Sequence, residues 1–539
     1  MKYGAQIAEN ERGMDRKNQY RGFPGIRGNF GAMLSGLLLF AAFPPLECPL
    51  LAWIALVPLL CAGFRSGPVC AFKIGFLAGF LFWLLSVFWL TRVSWAGWLL
   101  LSAYCALFTA SFAACAAWFY GRSLCRKRGG GVFALIFIPA IWVGFEFLRY
   151  GLFSGFPWNS LGVSQYANIE FIQAASVGGV HLVSYIVAMV NTAFALALAG
   201  YVNRPFSRPS LEVLFELCMA VLVTVFAMLS GRGILSRLPT ANASIKIAAV
   251  QANIPQVEKW SESFSSVVGE RLRSASADAI VGHRPDIVIW PETAVPDFVR
   301  VDGPSRDIVD EIVRLGTPLL MGSMDYDNSG TEINYFNSAF LFRSADLPPQ
   351  VYAKRHLVLF GEYIPLERLI PFLKALTPME TSFTAGREAV VFRLGEWAFS
   401  VLICFEDSVA GLARDCVRAG ARLLINQTND AWFDPLWGSR QHMAQCVFRC
   451  VENRIDVVRV TNTGVTCHID RSGAIVSRLE PDAAGWRAPQ VMICEAGLSP
   501  ESIPMTFYTR YGDLFGWLCA AVSILSSAGA FLRSRRKCF

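Results

Sequence analysis

Seven apolar runs follow one another between Phe30 and Ser230, and an eighth, Leu514–Leu532, stands near the C-terminus. A helix needs about 20 residues, within a range of roughly 17–25, to cross the hydrocarbon core of a bilayer. Backbone polar groups have no water to bind there, so each spanning segment must satisfy its own hydrogen bonds as a helix. The seven runs are Phe30–Phe43, Pro49–Phe64, Cys70–Leu90, Gly97–Tyr120, Val132–Leu148, Ala174–Tyr201 and Glu212–Ser230. The first two are short and separated by Pro44, Pro45 and Pro49, which predicts a tight helical hairpin. The first run has the basic flank of a signal peptide. No small-x-small cleavage site follows it, so it reads as an anchor.

Composition agrees with a membrane protein. Of 539 residues, 54% are hydrophobic and 17% charged, and the mean hydropathy is +0.42. Soluble domains are roughly 45–50% apolar and about 25% charged. The net charge of +7 is explained by where the cations fall. With the N-terminus inside, eighteen Lys and Arg lie in inside segments: Lys2, Arg12, Arg16, Lys17, Arg21, Arg27, Arg65, Lys73, Arg122, Arg126, Lys127, Arg128, Arg204, Arg208, Arg533, Arg535, Arg536 and Lys537. The short outside loops carry only Arg92 and Arg149. Positive loops stay cytoplasmic, so this bias is topology rather than a nucleic-acid surface, and no nucleic-acid partner is expected. It places the segment between the seventh and eighth spans outside the cytoplasm.

Within the spans, Gly75-Phe-Leu-Ala-Gly79 permits close helix approach. Glu146 is either a functional intramembrane acid or a local partner of Arg149, three residues on. The loop after it, GLFSGFPWNSLGVSQY, is expected at the interface, lining a path for lipid.

Residues 235–500 change character, alternating short β-rich runs with helical ones. Strands are predicted at Ile245–Ala252, Asp286–Trp290, Pro318–Met324, Asn337–Phe342, Phe399–Ile403, Arg422–Gln427 and Asp456–Thr461, with helices at Ser305–Leu315 and Gln441–Asn453 between them. This order is that of an α/β sandwich. The expected organisation is a basic stretch at 1–28, a membrane domain of about seven spans at 29–231, the α/β domain at 235–500, a last span at 513–532 and a basic tail at 533–539. The 15 cysteines show no CxxC pair, and the five histidines, His181 to His468, no ligand spacing, so no metal site is expected.

Three strand ends offer reactive groups. In FSVLICFED, a short buried strand ends on Cys404, and helical spacing begins at Ser408. A thiol there suits a nucleophile, because a following helix N-terminus favours the thiolate and backbone N–H groups can face an oxyanion. The same pattern also fits a buried core cysteine. In DIVIWPETAVP, Glu292 follows a strand beside Trp290, a fitting place for a general base. In VYAKRHLVLFGEYIP, Lys354 follows Tyr352, and Glu362 lies in a Gly-bounded turn.

Taken together these motifs resemble the nitrilase superfamily, whose Glu–Lys–Cys triad has this chain order. Eight spans around such a domain narrow the resemblance to the apolipoprotein N-acyltransferase family. It is carried by GFPWNSLG at 155–162, VQANIPQVEKW at 250–260, WPE at 290–292, KRHLVLFGEYIP at 354–365, ICFED at 403–407, QTNDAWF at 427–433 and TRYGD at 509–513. The fold it implies is a polytopic α-helical membrane domain of about eight spans, with an α/β nitrilase-like αββα sandwich inserted before the last span.

The resemblance implies Glu292 as general base, Cys404 as nucleophile and Lys354 as the charge that steadies the oxyanion together with the Phe405 N–H. Glu362 and Glu406 would support them. Trp260, Asn429, Asp430 and Trp432 match positions near substrate. The family commonly has Tyr after the nucleophile, and this chain has Phe405. The reaction implied moves an acyl chain from a phospholipid, through a Cys404 thioester, to the N-terminal amine of a diacylglyceryl-cysteine lipoprotein, with no metal or organic cofactor, in the bacterial inner membrane with a periplasmic catalytic domain. The competing readings are a membrane-tethered nitrilase-type amidase and a transporter with a nitrilase-like sensor domain.

Overall fold

The structure, a computed structural model, describes residues 25–121, 130–203, 210–241, 243–255, 262–295, 297–301, 303–330, 333–365, 382–433, 437–479, 488–500 and 503–536. The basic stretch before residue 25 and the cationic loops at 122–129 and 204–209 lie outside these. The chain divides into two units, one of residues 1–233 with 513–539 and one of 234–512.

The first unit is helical. Five described helices are long and apolar enough to cross a membrane: Pro68–Ser86, Trp95–Tyr120, Gly130–Ser154, Ala175–Tyr201 and Leu211–Leu235. Three shorter apolar helical segments, Gly28–Ala41, Pro49–Phe64 and Leu514–Gly529, account for the remaining runs. The first two of these fold back on each other, with the Leu59 N–H donating to Ser35 Oγ at 2.9 Å. Gly75 and Gly79 do permit close approach: a Cβ on Gly75 would lie 2.6 Å from Ala113 Cβ, and one on Gly79 2.7 Å from Thr109 Cβ.

The loop after Glu146, expected at the interface, is exposed at its start and buried within the protein further on. Gly151–Phe153 is exposed, but Pro157–Gln165 is buried among the helices. Two polar side chains make this possible by satisfying loop backbone. Glu146 Oε1 accepts from the Leu161 N–H at 2.7 Å and from Trp142 Nε1 at 2.9 Å. Arg149 Nη1 donates to the carbonyls of Phe156 (2.5 Å) and Trp158 (2.8 Å), and its guanidinium lies 4.7 Å from the Trp83 ring.

The second unit holds two six-stranded sheets. The chain lays down β1 (Ser244–Gln251), β2 (Ile287–Ile289), β3 (Leu319–Asp327), β4 (Asn334–Phe342) and β5 (Gln350–Ala353) in one. It then forms β6 (Phe392–Leu394), β7 (Trp397–Ile403), β8 (Leu423–Thr428), β9 (Asp456–Thr461), β10 (Cys467–Ile469) and β11 (Ile475–Arg478) in the other. The last strand, β12 (Gln490–Gly497), returns to the first sheet and pairs antiparallel with β1. Pairing is parallel for β1–β2, β2–β3, β7–β8 and β8–β9 and antiparallel elsewhere.

Both faces of the inner strands are apolar, and period-two alternation sorts them. Ile245, Ile247, Ala339 and Leu341 join Val401, Ile403, Ile425 and Val458 in the core between the sheets. Ala248, Val250, Phe340 and Phe342 face outward and pack with Val268 and Leu272 of helix Glu262–His283 and Val309 and Ile312 of helix Pro304–Arg314. Helices Ala410–Arg418 and Gly438–Asn453 lie along the second sheet. This is the αββα layering expected, and it brings the ends of β2, β5 and β7 to one place.

Candidate active site

Beyond β2 the chain turns through Trp290 and Pro291 to Glu292. Trp290 is fully buried, its Nε1 donating to Ser276 Oγ at 2.8 Å and its carbonyl accepting from Gln427 Nε2 at 2.6 Å. The turn is thus pinned by helix Glu262–His283 on one side and by β8 of the second sheet on the other, and Glu292 is held at 7% exposure.

Lys354 follows β5. Its N–H donates to the Asn337 carbonyl at 2.8 Å, continuing the β4–β5 pairing by one residue. Its side chain is 1% exposed, with Nζ 2.8 Å from Glu362 Oε1 and 3.7 Å from Glu292 Oε1. Burial alone would pull this ammonium down, but the Glu362 and Glu292 carboxylates override it and hold Lys354 above its ordinary value. Lys354 is therefore a buried, fixed positive charge. Glu362 is fixed in turn by the Val358 N–H, which donates to its Oε2 at 2.9 Å.

Cys404 follows β7 with φ of 53°, in the left-handed region that side chains rarely adopt. Such a residue costs about 1–3 kcal/mol and persists only where neighbours hold it. Here Asn426 Nδ2 donates to the Cys404 carbonyl at 3.1 Å and to that of Leu402 at 3.2 Å. Residues Cys404–Ser408 form a 3-10 turn, and the helix starts only at Ala410. The expected thiolate-favouring effect of the helix does not prevail: burial first, and then the Glu292 carboxylate, push the Cys404 thiol well up, against the Lys354 charge and a hydrogen bond with Thr428. Loss of its proton must therefore be assisted.

Glu406 ties the two strand ends together. Fully buried, its carboxylate accepts from the N–H groups of Arg355 (2.7 Å), His356 (3.0 Å) and Ile403 (2.7 Å), and from the Tyr352 hydroxyl at 2.8 Å. The Lys354 segment and the Cys404 turn thus share one anchor.

The Phe405 ring stacks on His356, centroids 6.0 Å apart at 21°. Phe405→Tyr keeps that ring, and turnover in an activity assay should stay near the parent's. Phe405→Ala removes the stack, worth ~0.5–1.5 kcal/mol beyond burial, so a fall of about tenfold is expected in the same assay.

Four residues absent from the sequence expectations, or present for another reason, form a buried network near Cys404. Asp407, Asp430, His442 and Arg459 are all 0% exposed. Arg459 Nη1 lies 2.5 Å from Asp407 Oδ2 and its Nη2 2.8 Å from Asp430 Oδ2, while His442 bridges Asp407 (2.8 Å) and Asp430 (2.9 Å). Asp430, expected near substrate, has its carboxylate engaged in this network. Asn429 Oδ1 likewise accepts internally, from Asn462 Nδ2 at 3.0 Å and the Ala431 N–H at 3.3 Å. Trp432 is 46% exposed, and Trp260 lies outside the described residues.

Asn337 was not anticipated either. Its Nδ2 donates to Glu292 Oε1 at 2.8 Å and to Glu362 Oε1 at 3.0 Å. A period-two strand reading marks it only as a polar residue in a strand. The site gathers a carboxylate, a fixed ammonium and a thiol at adjoining strand ends, a set suited to nucleophilic acyl chemistry.

Residues 35–193 match the family described as apolipoprotein N-acyltransferase N-terminal domain, and residues 246–501 match carbon-nitrogen hydrolase. The apolipoprotein N-acyltransferase of Geobacter metallireducens is 34% identical over 93% of this chain and 95% of its own length. That of Chlorobaculum tepidum is 32% identical over 94% of this chain and 97% of its own. Among solved structures, a nitrilase-superfamily member from Saccharomyces cerevisiae is similar at 16% identity and a TM-score of 0.36, over 48% of this chain and 91% of that one. With relatives matched end to end across membrane helices and sandwich alike, the chain belongs to the apolipoprotein N-acyltransferase family.

Proposed function

We propose that this membrane acyltransferase moves an acyl chain from a phospholipid to the N-terminal amine of a diacylglyceryl-cysteine lipoprotein by way of Cys404. Glu292 takes the thiol proton as Sγ attacks the ester carbonyl. Lys354 and the Phe405 N–H face the developing oxyanion, a buried charge being worth most where water is absent. The tetrahedral adduct collapses, the lysophospholipid leaves with the proton from Glu292, and a thioester remains on Cys404. The lipoprotein amine then attacks the thioester and loses a proton to Glu292. The second adduct collapses to the amide, and the thiolate regains the proton.

The observation that carries this reading is the Lys354 ammonium held between Glu362 and Glu292 in the same site as Cys404, in a chain of this family. Incubation with a phospholipid fluorescent in its acyl chain, then with a diacylated lipopeptide, should transfer fluorescence to the peptide. Release of free fatty acid with an unlabelled peptide would contradict it.

The catalytic domain at 235–500 lies in the periplasm and the protein in the bacterial inner membrane. This rests on the bias of eighteen cations inside to two outside. A reporter active only in the cytoplasm, fused after Arg237, should stay silent, and an active fusion would overturn the orientation.

A further inference from the structure

We infer that Asn337 is a positioning residue that keeps Glu292 free to act as the base, by binding both glutamates through one amide and leaving Lys354 to pair with Glu362. The inference rests on the reaction proposed above. Asn337 sits on β4, 6% exposed, between the segments that carry Glu292 and Glu362. Its Nδ2 donates to both carboxylates, and its carbonyl accepts the Lys354 N–H at 2.8 Å. Its Oδ1 is buried and has no hydrogen-bond partner among the described residues. The amide therefore cannot be turned round, because an amide oxygen against two carboxylates would be repelled while the N–H groups lost both acceptors.

Two carboxylates converging on one ammonium raise a problem. Either the ammonium settles midway and binds both, or a proton is retained between them. Here Lys354 lies 2.8 Å from Glu362 and 3.7 Å from Glu292. The Asn337 N–H supplies Glu292 with the stabilisation that the more distant ammonium gives less strongly. The titratable groups about Glu292 are Lys354 after β5, Glu362 in the turn beyond it, and Cys404 after β7. Asp430, after β8, acts on Cys404.

Without the Nδ2 donor both glutamates lose a hydrogen bond, and Glu292 is no longer held in place. Acylation of Cys404 should then slow by roughly 10- to 100-fold in Asn337→Ala, the usual effect of losing a hydrogen bond to a charged group, with the KM for phospholipid near the parent's. It should slow further in Asn337→Asp, which removes the donor and sets a third acid against two others. Asn337→Ser, which can still donate, should recover part of the rate that alanine loses. The same order should appear in the rate at which iodoacetamide alkylates Cys404. That reaction needs no lipid, so it tests Asn337 even if the parent fails to take an acyl chain from phospholipid, a result that would instead sink the proposed function. Rates falling in the order parent, serine, alanine, aspartate, in variants that melt near the parent's temperature, support the inference. Parental rates in the alanine variant, or losses that follow lost stability rather than the lost donor, overturn it.

Discussion

Glu292→Gln is expected to slow acyl loading of Cys404 by about 10²–10⁴-fold, the usual contribution of a positioned general base. The size follows from the thiol's surroundings. Burial and the neighbouring carboxylate push Cys404 well above its ordinary value, so a preformed thiolate is scarce and attack depends on simultaneous proton removal. Glutamine retains an oxygen for Asn337 Nδ2 and a similar shape, so the fold should survive. Stopped-time loading assays with labelled phospholipid measure the rate, and a melting curve checks the fold. A loss below tenfold would assign the proton to another group.

Glu406→Ala should be damaging in a different way. It strands three backbone N–H groups and the Tyr352 hydroxyl in a fully buried place. Each unpaired buried donor costs about 1–3 kcal/mol, so the four together should cost several kcal/mol. Because those donors come from both the Lys354 segment and the Cys404 turn, activity and stability should fall together. Urea unfolding of the protein in detergent, followed by tryptophan fluorescence, measures the second. A variant as stable as the parent would mean that Glu406 does not anchor these strand ends.

Much of this architecture is legible in the chain because its segments are short and strongly patterned. The eight apolar runs correspond to eight apolar helical segments, and β9 lies at the residues predicted, Asp456–Thr461. β7 was legible through a short stretch that is apolar apart from Ser400, since it is buried on both faces. The strands β5, β6, β10 and β11 are three or four residues long, too short for an alternation to register. β12 pairs with β1 across some 250 residues of chain, as in Ser244 opposite Gly497, and no local pattern announces such a closure.

The chemistry-bearing residues at strand ends stood out because each interrupts an apolar run. Asn337, His442 and Arg459 did not. Arg459 sits within β9, and helix Gly438–Asn453, which carries His442, is buried along its whole length. Their meaning comes from partners far off in sequence: Asn337 meets Glu292 forty-five residues away, and Arg459 meets Asp407 fifty-two away. Burial of the loop at 157–165 was hidden for the same reason, since it depends on Glu146 and Arg149 reaching its backbone.

The central claim is that Cys404 carries the acyl group between two separable half-reactions. Incubation with phospholipid alone, followed by mass spectrometry of the peptide containing Cys404, tests it most directly. The expected result is one added acyl chain on Cys404, removed by hydroxylamine, absent from Cys404→Ala, and consumed when a diacylated lipopeptide is added. An adduct on another residue, or transfer that proceeds only with both substrates present and leaves no adduct, would contradict it.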